Sequence, residues 1–300
     1  MRVGILGVGI AGRARVRAVR DDSSLTLVGG YRGRFAAELE VSLYDTPGAL
    51  MRSSDLLIVC SPSDTHADYV SQALDAGCHV ICEYPLAPTA DAAEALFARA
   101  DAVGRVLHVE HLGVLSPTTR AAAERVREHG IVGGALDFTS GGSVWPGVRE
   151  HALQQLERVH RWVAAVGALE ATKVDAADGA TLDLRLRFAD AEVALRSRRG
   201  PDLARGQRWT VQTPAGVFEA HGAQATWRGA PLSTPWKGLF ALDLRLALGG
   251  IREGRPPYVP RARELEVLRW VDAVASAAPG AWVPTPVQAQ RSVAATLDLP

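Results

Sequence analysis

The chain has 300 residues, 47% of them hydrophobic, and its 33 basic side chains balance 33 acidic ones. That length supports two domains with buried cores, and the balanced charge supplies no net field for nucleic acid or an anionic membrane surface. Three cysteines, Cys60, Cys78 and Cys82, suggest neither a disulfide framework nor a metal cluster, so no metal is expected. No apolar run is long enough to span a bilayer, and the apolar start passes directly into an arginine-rich helix without a cleavage region, so a cytoplasmic location is expected. The basic residues are almost all arginine; Lys173 and Lys237 are the only lysines, which argues against Schiff-base chemistry.

Over the first 115 residues, strand and helix patterns alternate. RVGILGV reads as a buried strand, AGRARVRAVRD as a helix and LTLVGGY as a second strand. DLLIVCS, HVICE and RVLHVEH supply further strands, with HADYVSQALDAG and TADAAEALFARADAVG as helices between them. Short apolar strands separated by helices predict a parallel, doubly wound sheet. After a crossing helix near SPTTRAAAERVREHG the pattern lengthens into alternating strands: ALDFTSGG, ATLDLRLRFAD, EVALRSRRG and QRWTVQTPAGVFEAHG. These predict an antiparallel sheet with one buried face. Two helices follow, near LFALDLRLALGGIREG and RARELEVLRWVDAVASAA. The expected fold is α/β. A Rossmann doubly wound parallel sheet covers residues 1–117, and an α+β domain with a large, mostly antiparallel open sheet covers 118–300. The last helices are free to pack back on the first domain.

GVGIAG, residues 7–12, has the spacing G-x-G-x-x-G between a strand and a helix. Gly7 allows the tight turn, Gly9 lets the backbone approach a pyrophosphate, and Gly12 permits close packing of the helix on the sheet. Free N–H groups of the turn and helix start, through Val8, Ile10 and Ala11, complete an anion cradle. The second strand usually ends in a carboxylate that binds the ribose of NAD; here Tyr31-Arg32-Gly33-Arg34 follows instead. Arg32 and Arg34 suit a 2′-phosphate, so NADPH is expected, with NADH possible. Ser61 and Pro62 sit at a carboxyl edge of the sheet, Ser63 or Asp64 is placed to cap the next helix, and His66 falls in its first turn, in a capping, packing or cofactor-contact role.

The stretch from Gly77 to Leu115, with SPSDTH before it and RELEVLRWVDAVASA after it, resembles the glucose–fructose oxidoreductase and inositol dehydrogenase family. Within that family Glu83-Tyr84-Pro85, GRVLHVEH, ERVHRWVAAVGAL and RRGPDLARGQRW are similar to the biliverdin reductases of animal type. The resemblance implies a Rossmann domain, an open-sheet substrate domain and hydride transfer from NADPH to the central methine of a bilin. It places Glu83 and Tyr84 beside the cofactor and Arg158 in the substrate site. Sugar enzymes of the family carry lysine where Tyr84 stands, and an Asp-x-Gly-x-His motif that the helix HALQQLERVHRWVAAVG lacks. Tyr84, Arg158, Glu110 and His108 are therefore the candidate catalytic groups. His111 joins His108 and Glu110 as a rival proton source or substrate contact; strand alternation would put 108 and 110 on one face and 111 on the other. Arg205 and Arg208 are candidates for the bilin propionates, and Trp145 and Trp209 for stacking on its rings. Other readings are a same-fold reductase of a conjugated imine or enone, a sugar-type enzyme, or an NADP(H)-sensing regulator. The oligomeric state is left open.

Overall fold

The computed structural model describes residues 1–189, 191–232 and 238–285, in two compact units. Lys237 lies outside the described residues. The first unit joins Met1–Leu112 to Gly238–Leu265; the second takes in the described residues from Gly113 onward and again from Glu266.

In the first unit β1 (Arg2–Leu6), α1 (Ile10–Arg20), β2 (Thr26–Tyr31), α2 (Pro47–Arg52), β3 (Leu56–Val59), α3 (His66–Asp75), β4 (His79–Cys82), α4 (Ala90–Ala102) and β5 (Leu107–Val109) follow in order. The five strands pair in parallel in the order β2-β1-β3-β4-β5. The strand order reverses between β1 and β3, and open α/β sheets bind ligands at the carboxyl edge beside such a switch point. Every residue of β3 is buried, as expected of a strand covered on both faces. The helix α2 adds to the expected elements: the Thr46 side chain caps it by accepting from the Ala49 amide, and Pro47 opens its first turn.

The second unit begins within the short turn α5 (Leu112–Leu115) and continues through α6 (Pro117–His129), β6 (Gly133–Gly141), α7 (Val148–Leu153), α8 (Leu156–Val166) and β7 (Leu169–Ala177). There follow β8 (Thr181–Phe188), β9 (Glu192–Gly200), β10 (Gly206–Thr213), β11 (Gly216–His221), β12 (Gln224–Trp227) and β13 (Ala230–Leu232). Next comes α9 (Leu239–Glu253), which belongs to the first unit. The division between units falls within α10 (Arg261–Ala275), and β14 (Trp282–Pro284) follows. Among the described residues the nine strands of this sheet are ordered β13-β12-β11-β10-β6-β9-β8-β7-β14, antiparallel except where β6 meets β9. Alternation fixes its register. Leu182, Leu184, Leu186 and Phe188 of β8 face the core, and Asp183, Arg185 and Arg187 face water.

Helix α9 completes the core of the first unit. Leu244, Ala247 and Leu248 pack with Val16 and Val19 of α1 and with Val3, Ile5 and Ile58 of the sheet. No helix among the described residues is long and apolar enough to cross a membrane.

Candidate functional site

The glycine turn is built for close backbone approach. Gly7 has φ 89, and a Cβ there would stand 2.6 Å from the Cys60 carbonyl oxygen. A Cβ at Gly12 would overlap the Gly7 carbonyl oxygen, so only glycine lets α1 start this near the sheet. The amides of Gly7 and Val8 donate to the carbonyls of Tyr31 and Arg32, at 3.0 and 2.8 Å, which ties the turn to the end of β2. The open donors are therefore those of the first turn of α1. The first helical bond runs from the Arg13 amide to the Gly9 carbonyl, and no side chain caps the Ile10, Ala11 and Gly12 amides. Ile10 is 68% exposed over this turn. Uncapped amides, a glycine where a Cβ would collide and an uncovered apolar side chain fit a dinucleotide pyrophosphate.

Beyond β2, Arg32 (φ 55), Gly33 and Arg34 are exposed. Among the described residues neither arginine forms an ion pair; each lies over a neighbouring ring, Arg32 on Tyr31 and Arg34 on Phe35. Arg13 also lies over the Phe35 ring, 4.6 Å from its centroid.

The loops after β3 and β4 are clamped together by His66, which is 2% exposed. Its Nε2 lies 2.8 Å from the Ser61 carbonyl oxygen and its Nδ1 lies 2.8 Å from that of Pro85. Both ring nitrogens are thereby engaged with protein, so His66 holds Ser61-Pro62 against the cis Tyr84–Pro85 turn. Neither Ser63 nor Asp64 caps α3 with its side chain; those residues form a 3-10 turn instead.

Behind Tyr84 lies a buried polar network. Arg15, on the inner face of α1, brings Nε to 3.0 Å from Glu83 Oε1 and Nη1 to 2.5 Å from Asp243 Oδ2. Asp243 Oδ1 meets His108 Nε2 at 2.9 Å and accepts from the Tyr258 hydroxyl at 2.7 Å. The Tyr258 oxygen in turn accepts from the His111 amide at 2.7 Å. The His111 ring stacks on Tyr84, with centroids 5.9 Å apart and planes at 20°, and its Nε2 lies 2.8 Å from Glu264 Oε2. Arg15 and Asp243 are fully buried. Burial alone would raise the Asp243 pKa, but Arg15, His108 and the bond from Tyr258 outweigh it and hold the carboxyl below its usual range. Burial would also weaken the Arg15 charge; Asp243 and Glu83 raise its pKa well above the ordinary value. The Cys60 thiol, 3.9 Å from Glu83, is pushed up by burial and then by that carboxylate, so it stays protonated.

Tyr84, His108, Glu110 and His111 thus belong to one cluster, against the expectation drawn from strand alternation. The strand β5 stops at Val109, and Glu110 turns to accept from the Leu112 amide, which releases His111 from the period-two pattern. Arg15, Asp243, Tyr258 and Glu264 were not foreseen. A signal exists for two of them: Arg15 lies on the buried stripe with Gly12, Val16 and Val19, and Asp243 is the only acid in the apolar run LFALDLRLALGG.

In the second unit, Arg158 on α8 is 5% exposed, with its guanidinium 3.4 Å from the Phe138 ring centroid and Nη1 donating to the Gln154 carbonyl. Arg205 is exposed, 5.7 Å from the same ring. Trp145 is half-buried beneath Arg199. Two expectations are corrected. Trp209 is fully buried, edge-on to Trp162 and Phe218 and covered by Arg161 at 4.5 Å, so it is core and has no free face for a ligand ring. Arg208, its neighbour along β10, points to the opposite face and pairs with Glu219 at 2.7 Å, so the two cannot line one pocket.

Residues 1–111 match a family described as an oxidoreductase family with an NAD-binding Rossmann fold. Biliverdin reductase A of Mus musculus is 36% identical over 145 residues, covering 45% of this chain and 48% of that protein; the chain spans about half the length of this relative. D-xylose 1-dehydrogenase (NADP(+)) 2 of Haloferax volcanii is 25% identical over 298 residues, 87% of this chain and 85% of that one. The crystal structure of biliverdin reductase from Synechocystis sp. PCC 6803, in complex with biliverdin and NADP+, shares the fold with a TM-score of 0.76 at 22% identity, over 91% of this chain and 98% of that one.

Proposed function

We propose that the chain is an NADPH-dependent reductase acting on the central methine of a linear tetrapyrrole, converting biliverdin to bilirubin. One observation carries this reading: a tyrosine, Tyr84, stacked on His111, occupies the carboxyl edge of the nucleotide sheet after Glu83. Oxidising a secondary alcohol requires a base for the hydroxyl proton as hydride leaves carbon. The chain's two lysines, Lys173 and Lys237, are both remote in sequence from this stretch. NADPH supplies a hydride when bound, and a conjugated methine can accept it with no alcohol base. The charge spreads into the pyrroles, one of which takes a proton at nitrogen. In this reading Tyr84 offers a flat surface and a hydroxyl, and Glu110, His108 and His111 are the nearby proton-handling groups. Gly9 to Gly12 hold the pyrophosphate, and Arg32 and Arg34 grip the 2′-phosphate. Arg158 stabilises developing negative charge, a role its fixed charge suits, and Arg205 meets a propionate.

A second reading, a sugar dehydrogenase, is favoured by the Haloferax volcanii relative, whose match runs over most of the chain. Steady-state assays separate the two. Purified protein with NADPH should turn biliverdin from green to yellow, and should show no NADP+ reduction with D-xylose. Turnover of the sugar alone overturns the bilin assignment, and saturable NADPH binding with no turnover of either points to a cofactor-sensing regulator.

A further inference from the structure

The buried network reaches Tyr84 from both sides, and one carboxylate is common to both routes. Through Oδ2, Asp243 holds Arg15, which holds the Glu83 side chain, one residue before Tyr84. Through Oδ1 it holds the Tyr258 hydroxyl, which takes the His111 amide and so fixes the residue whose ring stacks on Tyr84. His108 Nε2 lies against the same Oδ1 and steadies it from β5. Asp243 lies 159 residues beyond Tyr84 on α9, whose apolar residues lock it into the core of the same unit.

We propose that Asp243 is a positioning residue that sets the place and tilt of the Tyr84 ring, with Arg15 and Tyr258 as its two arms. An ionised carboxylate serves here because it is an acceptor at both oxygens, so it can join a guanidinium to a phenol and an imidazole. A well-packed apolar residue would be cheaper to bury, and a buried charge set retained at this place fixes a geometry that apolar packing leaves loose. The inference rests on the reading of Tyr84 as the residue beside the nicotinamide, and two arms of one experiment keep the claims apart.

The chain has five tyrosines, so 3-fluorotyrosine labelling gives a small 19F spectrum in which Tyr84→Phe identifies the Tyr84 signal. In the cofactor-free protein, Tyr258→Phe removes one oxygen. It should move the Tyr84 signal while leaving those of Tyr44 and Tyr69 in place. Asp243→Asn should move it further. In both variants kcat should fall about tenfold, the loss expected for a buried hydrogen bond, with KM for NADPH within about twofold of the parent. Combined with Tyr84→Phe, the kinetic effect of Tyr258→Phe should be strongly non-additive. An unmoved Tyr84 signal in Tyr258→Phe overturns the proposal, as does a spectrum in which every tyrosine moves together. If Asp243→Asn does not fold, Tyr258→Phe decides alone. Adding NADP+ to the parent is the second arm: a Tyr84 signal that ignores NADP+ overturns its placement beside the nicotinamide without touching the result for Asp243.

Discussion

Arginine–carboxylate pairs occur in both units at nearly the same distances and in opposite surroundings. In the first unit Arg15 meets Asp243 at 2.5 Å with both side chains at 0% exposure. On the outer face of the second unit's sheet, Arg185 meets Asp175 at 2.9 Å and Arg208 meets Glu219 at 2.7 Å, with exposures between 37% and 54%. Distance does not separate these pairs; solvation does. In water each exposed partner is already well solvated, and the pair adds little. Inside, removing one partner strands the other without water, a loss of about 3–5 kcal/mol. The outer face is therefore a solvated set of interchangeable pairs, whereas the inner network is an indivisible unit joined to the candidate site.

The largest expected effect is at Arg15. Arg15→Ala leaves the Asp243 carboxyl in the core without its guanidinium partner, and urea unfolding should show a loss of about 3–5 kcal/mol. A loss under about 1 kcal/mol would erase the difference between the two regions. The pH dependence sharpens the same point. The folded-state pKa of Asp243 lies below its unfolded value, about 3.9. Its contribution is thus complete above that pH and declines as pH falls through it toward the folded value. Between about pH 5 and 2 the stability of Asp243→Asn should vary less with pH than that of the parent; parallel curves would contradict the depressed pKa. Arg32 and Arg34 form a third class, exposed and without a carboxylate partner among the described residues, so their contribution waits on a ligand. The Arg32→Ala, Arg34→Ala double variant should raise KM for NADPH about tenfold or more while leaving NADH nearly unchanged. The smallest effect belongs to Arg208→Ala, which should alter stability by less than about 1 kcal/mol and less still at high salt.

What could be read from the sequence was what neighbours in the chain decide. The turn from Gly7 to Gly12 is a local device, and the alternation of β8 announces both its faces. The pairing of Arg15 with Asp243 joins residues 228 apart, and a single chain carries no mark of which buried cation meets which buried anion. Each residue taken singly was conspicuous, a charge on an otherwise apolar helix stripe, and that signal identifies a network member without naming its partner. His111 was misplaced because a strand boundary decided the outcome: the alternation argument holds as far as Val109 and fails one residue later. Trp209 and Arg208 both have the chemistry of ligand contacts, but adjacent residues of one strand face opposite ways.

In the proposed reaction hydride passes from the reduced cofactor to the central bridge of a bilin. Single-turnover reaction with NADPH deuterated at C4 of the nicotinamide, on the face that transfers, tests it most directly, with the bilin product examined by mass spectrometry and NMR. One deuterium per product is expected, at the central bridging carbon, with one NADPH consumed for each bilin reduced. Bilin recovered unreduced and unlabelled, while the same protein transfers deuterium to a sugar carbonyl, would contradict it.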